Sequence, residues 1–462
     1  MKQTSLPGFE NSGTSNDFYD NTRIVYYLGS KYRILPQVIN KISRVAKKGS
    51  GVCDLFSGSG SVAVELSKSY NIVTVDIQEY SRVLCSALLN SPAVKDPVSW
   101  KLIRNKALES NFRKNLIESL SELLEIERDA IKLAKKGDPS KIVELTRLSP
   151  LFSITDEKDG QNDYLRTVQK NSKRKLYEVG LEVGSDTVIT RYYGGVYFSW
   201  QQAIDLDALL KIIFEYDVAV RDHLLAAAFG AASAAVNTIG KHFAQPIQLL
   251  SSSGQLKKNL LPQTIRDRTI DIFDVFSEWQ LRLERMKRHV GAFKTVRSDY
   301  RDALKNQDIK FDAVYADPPY TRDHYSRFYH ILETIALHDE PEVTTTSIRS
   351  LNQKKLSNGL YRSGRHQSPF SIISQASKAF EDLAQLVEAR NVPMVLSYSP
   401  FNSHNGSRPR LLTIDKVVEI LQMHFSKVEI EPINGFSHSK LNRRDRNIAL
   451  DGFSEVLLTC TP

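Results

Sequence analysis

The sequence predicts a doubly wound α/β sheet built from both ends of the chain and interrupted by a large, mainly helical insertion. Three observations predict it. Near the N-terminus "GVCDLF", "SGSG", "SVAVELSKS" and "NIVTVD" read in turn as strand, turn, helix and strand, the repeating unit of a parallel sheet. The pattern stops at about residue 95 and resumes near 290 with "KTVRSD", "FDAVYAD", "VPMVLSYS", "KVEIEPI" and "EVLLTC". Helical stretches such as "ISQASKAFEDLAQLVEAR" and "TIDKVVEILQMHF" separate most of these runs.

Taken in order, residues 1–22 are polar and turn-rich and read as a mobile tail. Residues 23–94 form the first part of the sheet domain, opening with "YYLGSKYRILPQVINKIS", a Gly-Ser turn that runs into an amphipathic helix. Residues 95–290 are the insertion. It holds a charged helical stretch (Lys101–Leu148), the Gly/aromatic segment "RYYGGVYFSWQQAIDLDALLKII", the Ala-rich helix "LLAAAFGAASAAVNTIG" and an amphipathic helix through "DIFDVFSEWQLRLERMKRHV". Residues 291–462 return to the sheet. A chain of 462 residues has room for two or three cores, and 41% hydrophobic with 25% charged residues is the balance of a soluble globular protein. No apolar run approaches membrane-spanning length, and no apolar segment follows the first lysine, so neither a span nor a secretory signal is expected. Cys53, Cys85 and Cys460 lack metal-ligand spacing and read as buried thiols of a cytosolic protein, with no metal site expected. A net charge of +9 suits a polyanionic partner.

The turn in "DLFSGSGSVA" places Gly58, Gly60 and Ala63 between a strand and a helix, the spacing of a dinucleotide loop, and Asp76 ends the next strand, where an acid can bond ribose hydroxyls. A nicotinamide oxidoreductase is one reading. Its phosphates need a helix N-terminus free of negative charge, whereas Asp54 and Phe56 precede the glycines here. An acid at the strand end suits an ammonium group. S-adenosylmethionine carries an ammonium and a ribose and has no phosphate. In "VRSDYRDAL", Asp299 can accept from an adenine amine and Tyr300 can stack on its ring; Asp299 is equally placed to cap the helix that follows.

"FDAVYA" (Phe311–Ala316) reads as a buried strand, and Asp317-Pro318-Pro319-Tyr320 follows it. The prolines fix the backbone and remove two N–H donors, leaving a carboxylate, carbonyls and a ring. Such a pocket fits the exocyclic amine of adenine, whose lone pair is conjugated into the ring. The Asp317 carboxylate and the Pro318 carbonyl can take its two N–H bonds and aim the lone pair at a sulfonium methyl, while Tyr320 stacks on the base. A base inside a duplex cannot reach such a pocket, so base flipping is implied.

"YLGSK", "DLFSGSG", "VTVDI", "SDYRDAL" and "YADPPY", in that order and with a long insertion before the last, resemble the D12 class of N6-adenine DNA methyltransferases, the alpha group that includes DNA adenine methylase. The resemblance covers about residues 25–90 and 290–462. It implies a Rossmann-like S-adenosylmethionine-dependent methyltransferase sheet, the insertion serving as target-recognition domain. It further implies that Tyr27, Gly29, Ser30 and Lys31 help hold the cofactor. The expected protein is a site-specific adenine methyltransferase in the cytoplasm of a bacterium or phage-infected cell, acting on double-stranded DNA, with a cognate restriction endonuclease or defence-system proteins as further partners. A catalytically degenerate DNA-binding module on the same fold is the alternative.

The stretch "SIRSLNQKKLSNGLYRSGRHQSPF" carries Arg349, Lys354, Lys355, Arg362, Arg365 and His366 without acids, and reads either as a phosphate-contacting loop or as a solvated one. A second basic run, His438–Asn447, offers Lys440 and Arg443 to phosphates. In the tail, Gln3, Leu6 and Phe9 resemble a sliding-clamp ligand; packing of Leu6 and Phe9 on the catalytic domain is the simpler reading.

Overall fold

Short β-branched runs become strands and the residues between them become helices. The computed structural model describes residues 23–29, 31–90, 100–155, 163–286, 291–322, 324–348, 353–399, 411–433 and 455–462. Its strands are β1 Gly51–Asp54, β2 Asn71–Asp76, β3 Phe293–Arg297, β4 Ala313–Ala316, β5 Thr345–Ile348, β6 Gln353–Leu356, β7 Met394–Tyr398, β8 Lys427–Ile433 and β9 Glu455–Thr461. By contacts the chain divides into two compact units: Tyr27–Ser91, Lys287–Ser326 and Arg365–Pro462 form one, and Met1–Tyr26, Pro92–Met286 and Arg327–Gly364 the other. The segment Arg327–Gly364 therefore goes with the insertion, whereas the sequence boundaries left it with the sheet.

The first unit is a seven-stranded sheet in the order β3-β2-β1-β4-β7-β9-β8. Strands β3, β2, β1, β4 and β7 run parallel, with Val52 opposite both Ile72 and Ala313, while β9 runs antiparallel to β7 and to β8. The sheet is thus mostly parallel. Its central strands are buried along their length, which is why they read as continuous apolar runs. The helix Ile373–Glu388 lays Ala376, Ala379, Phe380, Leu383, Ala384 and Val387 on one face of the sheet, the i, i+3, i+4, i+7 recurrence of an amphipathic helix. The helix Leu35–Val45 starts with a proline in its first turn and buries Leu35, Val38 and Ile42. All three cysteines are free and buried.

The second unit is mainly helical. The charged stretch resolves into separate helices at Trp100–Glu109, Asn111–Ser119, Ser121–Lys135 and Ser140–Leu145. The Gly/aromatic segment enters the helix Trp200–Ile213 through a capping box. The Ser199 hydroxyl accepts from the Gln202 N–H at 3.2 Å, and the Gln202 side chain accepts from the Ser199 N–H at 2.9 Å. Buried Arg268 bonds Glu127 at 2.7 Å and the Gly195 carbonyl at 2.8 Å, tying that segment to two helices. The basic stretch read as a loop is partly a β-hairpin, β5 pairing with β6 antiparallel.

The helix Val218–Ala235 is buried nearly all round, and a Cβ on its Gly230 would lie 2.3 Å from the indole of Trp279. Gly to Ala in an exposed helix interior stabilises by up to about 1 kcal/mol. Here overpacking reverses the sign. Gly230→Ala should destabilise this unit by ~1–3 kcal/mol, measured by thermal unfolding; an unchanged or raised midpoint contradicts the packing described. Among the described residues no helix is long and apolar enough to cross a membrane.

Candidate active site

In the sheet unit, the parallel strands bring acids to one edge. Asp54 ends β1 and Asp76 ends β2; Asp299 follows β3 and Asp317 follows β4. Ligands in open parallel sheets sit at this carboxyl edge. A cleft there is lined by Tyr27, Gly29, Lys31, Asp54, Phe56, Gly58, Asp76, Asp299 and Tyr300, and by Asp317, Pro318, Pro319 and Tyr320. It encloses about 1170 Å³ of empty space, counting the solvent at its mouth. Gly60 is not on the wall; it turns the chain into the helix Ser61–Leu66 with φ +76°. Ser30 lies outside the described residues.

The glycine loop is shaped by what surrounds it. The Leu55 N–H donates to the Tyr315 carbonyl at 2.9 Å and the Ser57 N–H to the Val75 carbonyl at 3.1 Å, which clamps the loop to β4 and β2. Gly58 has φ +52°, and a Cβ there would come 2.5 Å from the Tyr27 hydroxyl oxygen. The Asp76 carboxylate accepts from the Gly58 N–H at 3.0 Å and from the Gln78 N–H at 2.9 Å. The Ser81 side chain also bonds Asp76; a carboxylate offers about four lone-pair sites, so these bonds do not fill it.

Asp54 is 1% exposed, and its Oδ2 has no hydrogen-bond partner. Burial raises its pKa to about 8, with the Asp317 and Asp76 carboxylates adding to the effect and the Ala63 N–H opposing it. The buried Tyr315 hydroxyl on the same wall also lacks a partner. These buried polar atoms without a partner fit a ligand that brings hydrogen-bonding groups to them.

Lys31 is the cation opposite Asp317. Its Nζ lies 3.0 Å from Asp317 Oδ1, 2.5 Å from Glu455 Oε1 and 3.2 Å from the Tyr320 hydroxyl. Burial acts to lower its pKa, but the Asp317 and Glu455 carboxylates outweigh it and hold the ammonium well above the ordinary lysine value. The Ser397 hydroxyl donates to the same Glu455 oxygen at 2.5 Å. The Tyr320 ring meets Tyr398 edge-on at 5.2 Å. Glu455 and Ser397 were not foreseen: Glu455 reads as the first residue of an ordinary strand, and only the reversal of β9 carries it to the acidic edge.

Other expectations change. Asp299 does cap the following helix, its carboxylate accepting from the Arg301 N–H at 2.9 Å, while still lining the cleft. Tyr300 is buried against Phe56 and Phe370 with its hydroxyl on the Ala379 carbonyl, so its ring is largely core. His366, counted in the sequence among the charges of the basic loop, lines the cleft instead. Burial lowers its pKa despite the Asp299 and Asp76 carboxylates, which disfavours a positive charge there.

Residues 27–178 and 277–386, more than half of the chain, match the profile of the D12 class N6 adenine-specific DNA methyltransferases. The chain belongs to this family. It is also 36% identical over 93 residues to the modification methylase LlaI of Lactococcus lactis subsp. lactis, a match that takes in 20% of this chain and 13% of the length of that protein.

The basic residues that the sequence offered to DNA separate. Lys354 and Lys355 are exposed on β6. Arg362 is not available in that way: its guanidinium makes two 2.6 Å bonds to Asp339 and one of 3.0 Å to the Thr334 hydroxyl. It is a structural ion pair of the helical unit. Arg365 is half-buried in the sheet unit. Lys440 and Arg443, Arg349, and the tail residues Gln3, Leu6 and Phe9 lie outside the described residues.

The burial of Asp54 has a measurable sign. Its folded-state pKa of about 8 stands above the ordinary 3.8, so the folded chain keeps a proton that the unfolded chain releases. The Asp54 contribution to stability therefore declines as pH rises from about 4 to about 8, by up to about 1.4 kcal/mol per pH unit. Without added ligand, Asp54→Asn should gain on the wild type across that window and hold a constant lead above it. Denaturant titrations at a series of pH values check this; parallel curves for the two proteins contradict it.

Proposed function

We propose that this protein transfers a methyl group from S-adenosylmethionine to the N6 amine of an adenine flipped out of duplex DNA. The observation that carries the reading is that Asp317, with Pro318, Pro319 and Tyr320, shares one cleft with the glycine loop and its strand-end acids. S-adenosylmethionine, when bound, supplies an electrophilic methyl on a sulfonium. Asp54, with its unpaired buried oxygen, suits the ammonium, whose charge would draw off the proton that burial holds there; Asp76 suits the ribose, Asp299 the adenine amine, and Tyr27 and Phe56 the enclosing walls.

The chain's own residues then account for the activation of a poor nucleophile. Asp317 holds Lys31 through one carboxylate oxygen, and in this reading its carboxylate accepts an N–H of the target amine. Pro318 offers a carbonyl and no competing donor. Two acceptors on one amine draw its lone pair out of conjugation and point it at the methyl. Positive charge that develops on the nitrogen faces the Asp317 carboxylate. Lys31 holds that carboxylate in place, and Glu455 with Ser397 positions Lys31.

A nicotinamide enzyme fits less well. Its pyrophosphate would face Asp54 and Asp76 at the strand ends, and the dinucleotide sheet order has no antiparallel strand inserted before its last one. A degenerate DNA-binding module would have no need to keep Asp317 and its lysine partner. A cognate endonuclease, defence proteins and a sliding clamp are readings of the sequence alone.

The test is to express the chain in cells free of adenine methylation and sequence their native DNA with modified bases identified. N6-methyladenine in a fixed sequence context is expected; its absence overturns the reading. Asp317→Ala should lower turnover at least about a hundredfold with little change in S-adenosylhomocysteine affinity. Asp76→Ala should weaken that affinity first. Calorimetry separates the two, and equal loss of both properties in Asp317→Ala removes the role assigned to it.

A further inference from the structure

Within the helical unit, two turns are held side by side by buried polar side chains. One runs from "GKHFAQP" into Gln248 and carries Gln245 and Gln248; the other follows β6 and carries Asn358. The buried Tyr197 hydroxyl lies 3.1 Å from the Phe243 carbonyl and 2.9 Å from the Gly359 carbonyl, bridging the turns. The Tyr361 hydroxyl donates to the Ala244 carbonyl at 2.5 Å, and His330 Nε2 lies 3.0 Å from the Phe243 carbonyl. A Cβ on Gly359 would meet the Tyr361 ring at 2.3 Å and the Ala244 carbonyl at 2.5 Å, so this close approach requires glycine. The Ser357 N–H donates to the Thr344 carbonyl at 2.8 Å and the Tyr361 N–H to the Ser357 hydroxyl at 3.0 Å. A loop that is merely solvated needs no such scaffold.

The surface these turns present is one-signed. Gln245, Gln248 and Asn358 are exposed, as are Lys354, Lys355 and Arg147 around them. All six line one cleft, together with Arg166, and among the described residues no acid lines it, in a chain with 53 acidic residues. Basic side chains around neutral amides match a polyanion that also displays paired donors and acceptors. Duplex DNA has that chemistry: phosphates take Lys and Arg, and Gln or Asn can bond an adenine edge through both N6 and N7. Amides carried on a braced backbone have the fixed direction that base reading needs.

We propose that this face is the sequence-reading surface for duplex DNA, with Arg147, Lys354 and Lys355 on phosphates and Gln245, Gln248 and Asn358 on base edges. The proposal rests on the methyltransferase reading for its substrate, and its test separates the two. Full-length wild type and variants are titrated with duplex DNA over a salt series, and their methylation pattern is read from native DNA. The triple variant Arg147→Gln, Lys354→Gln, Lys355→Gln should bind every duplex more weakly, with a salt slope lower by about two to three. Lys354→Arg, Lys355→Arg should keep the slope, which excludes loss of fold as the cause. Gln245→Ala, Gln248→Ala and Asn358→Ala should leave binding to unrelated duplexes unchanged and relax the modified sequence, with discrimination at one or more positions falling on the order of ten- to a hundredfold. An unchanged slope together with an unchanged sequence pattern overturns the proposal, as does tighter binding to RNA or to an acidic peptide than to duplex DNA. Wild type that modifies no adenine, with the slope change still present, would instead sink the methyltransferase reading and leave the surface a DNA site.

Discussion

The sheet unit depends on one ammonium among carboxylates. Parallel strands that each end near an acid put Asp54, Asp76, Asp299 and Asp317 along the same edge. Burial, with the Asp317 and Asp76 carboxylates adding to it, opposes ionisation of Asp54 and raises its pKa to about 8. Lys31 offsets the charge at the Asp317 end, where it is held between Asp317 and Glu455. Removing one partner of such a buried set leaves an uncompensated charge, so the lysine, the two carboxylates and the Ser397 hydroxyl behave as a single group. At the Asp54 end no cation opposes the raised pKa among the described residues, so a positively charged ligand there would favour the ionised carboxylate.

The antiparallel strand explains how the group is assembled. A parallel strand delivers its last residue to the carboxyl edge, whereas β9, reversed against β7 and β8, delivers its first. Glu455 therefore arrives beside residues that come from the ends of other strands. Backbone clamps do the rest. The glycine loop bonds to β2 and β4, and Gly58 passes beneath the Tyr27 hydroxyl at a separation no side chain allows. Backbone bonds and strand ends thus fix where the acids lie.

The helical unit follows a different rule. Its buried polar groups are numerous, but the tyrosines Tyr197 and Tyr361 each end on backbone carbonyls, and Arg268 and Arg362 end on carboxylates. Each satisfied group fixes the separation of two segments distant in sequence, as apolar packing alone does less specifically. Irregular turns become as well placed as helices in this way.

Most strands were legible because β-branched runs between turn residues can bury themselves only in a sheet, and "NIVTVD" and "KVEIEPI" keep their sequence-read bounds as β2 and β8. Asp54, Gly58, Asp76 and Asp317 were legible because a strand end has one place to go in a parallel sheet. Tertiary structure decided what pairing across the chain decides. The bond between Lys31 and Glu455 joins residues 424 apart, and nothing local in either segment specifies it. The basic stretch divided for the same reason: Arg362 met Asp339, His366 entered the cleft, and Lys354 and Lys355 stayed in solvent. Sequence determines which side chains have the chemistry for a site; which of them keep it free depends on partners that only folding brings within hydrogen-bond distance.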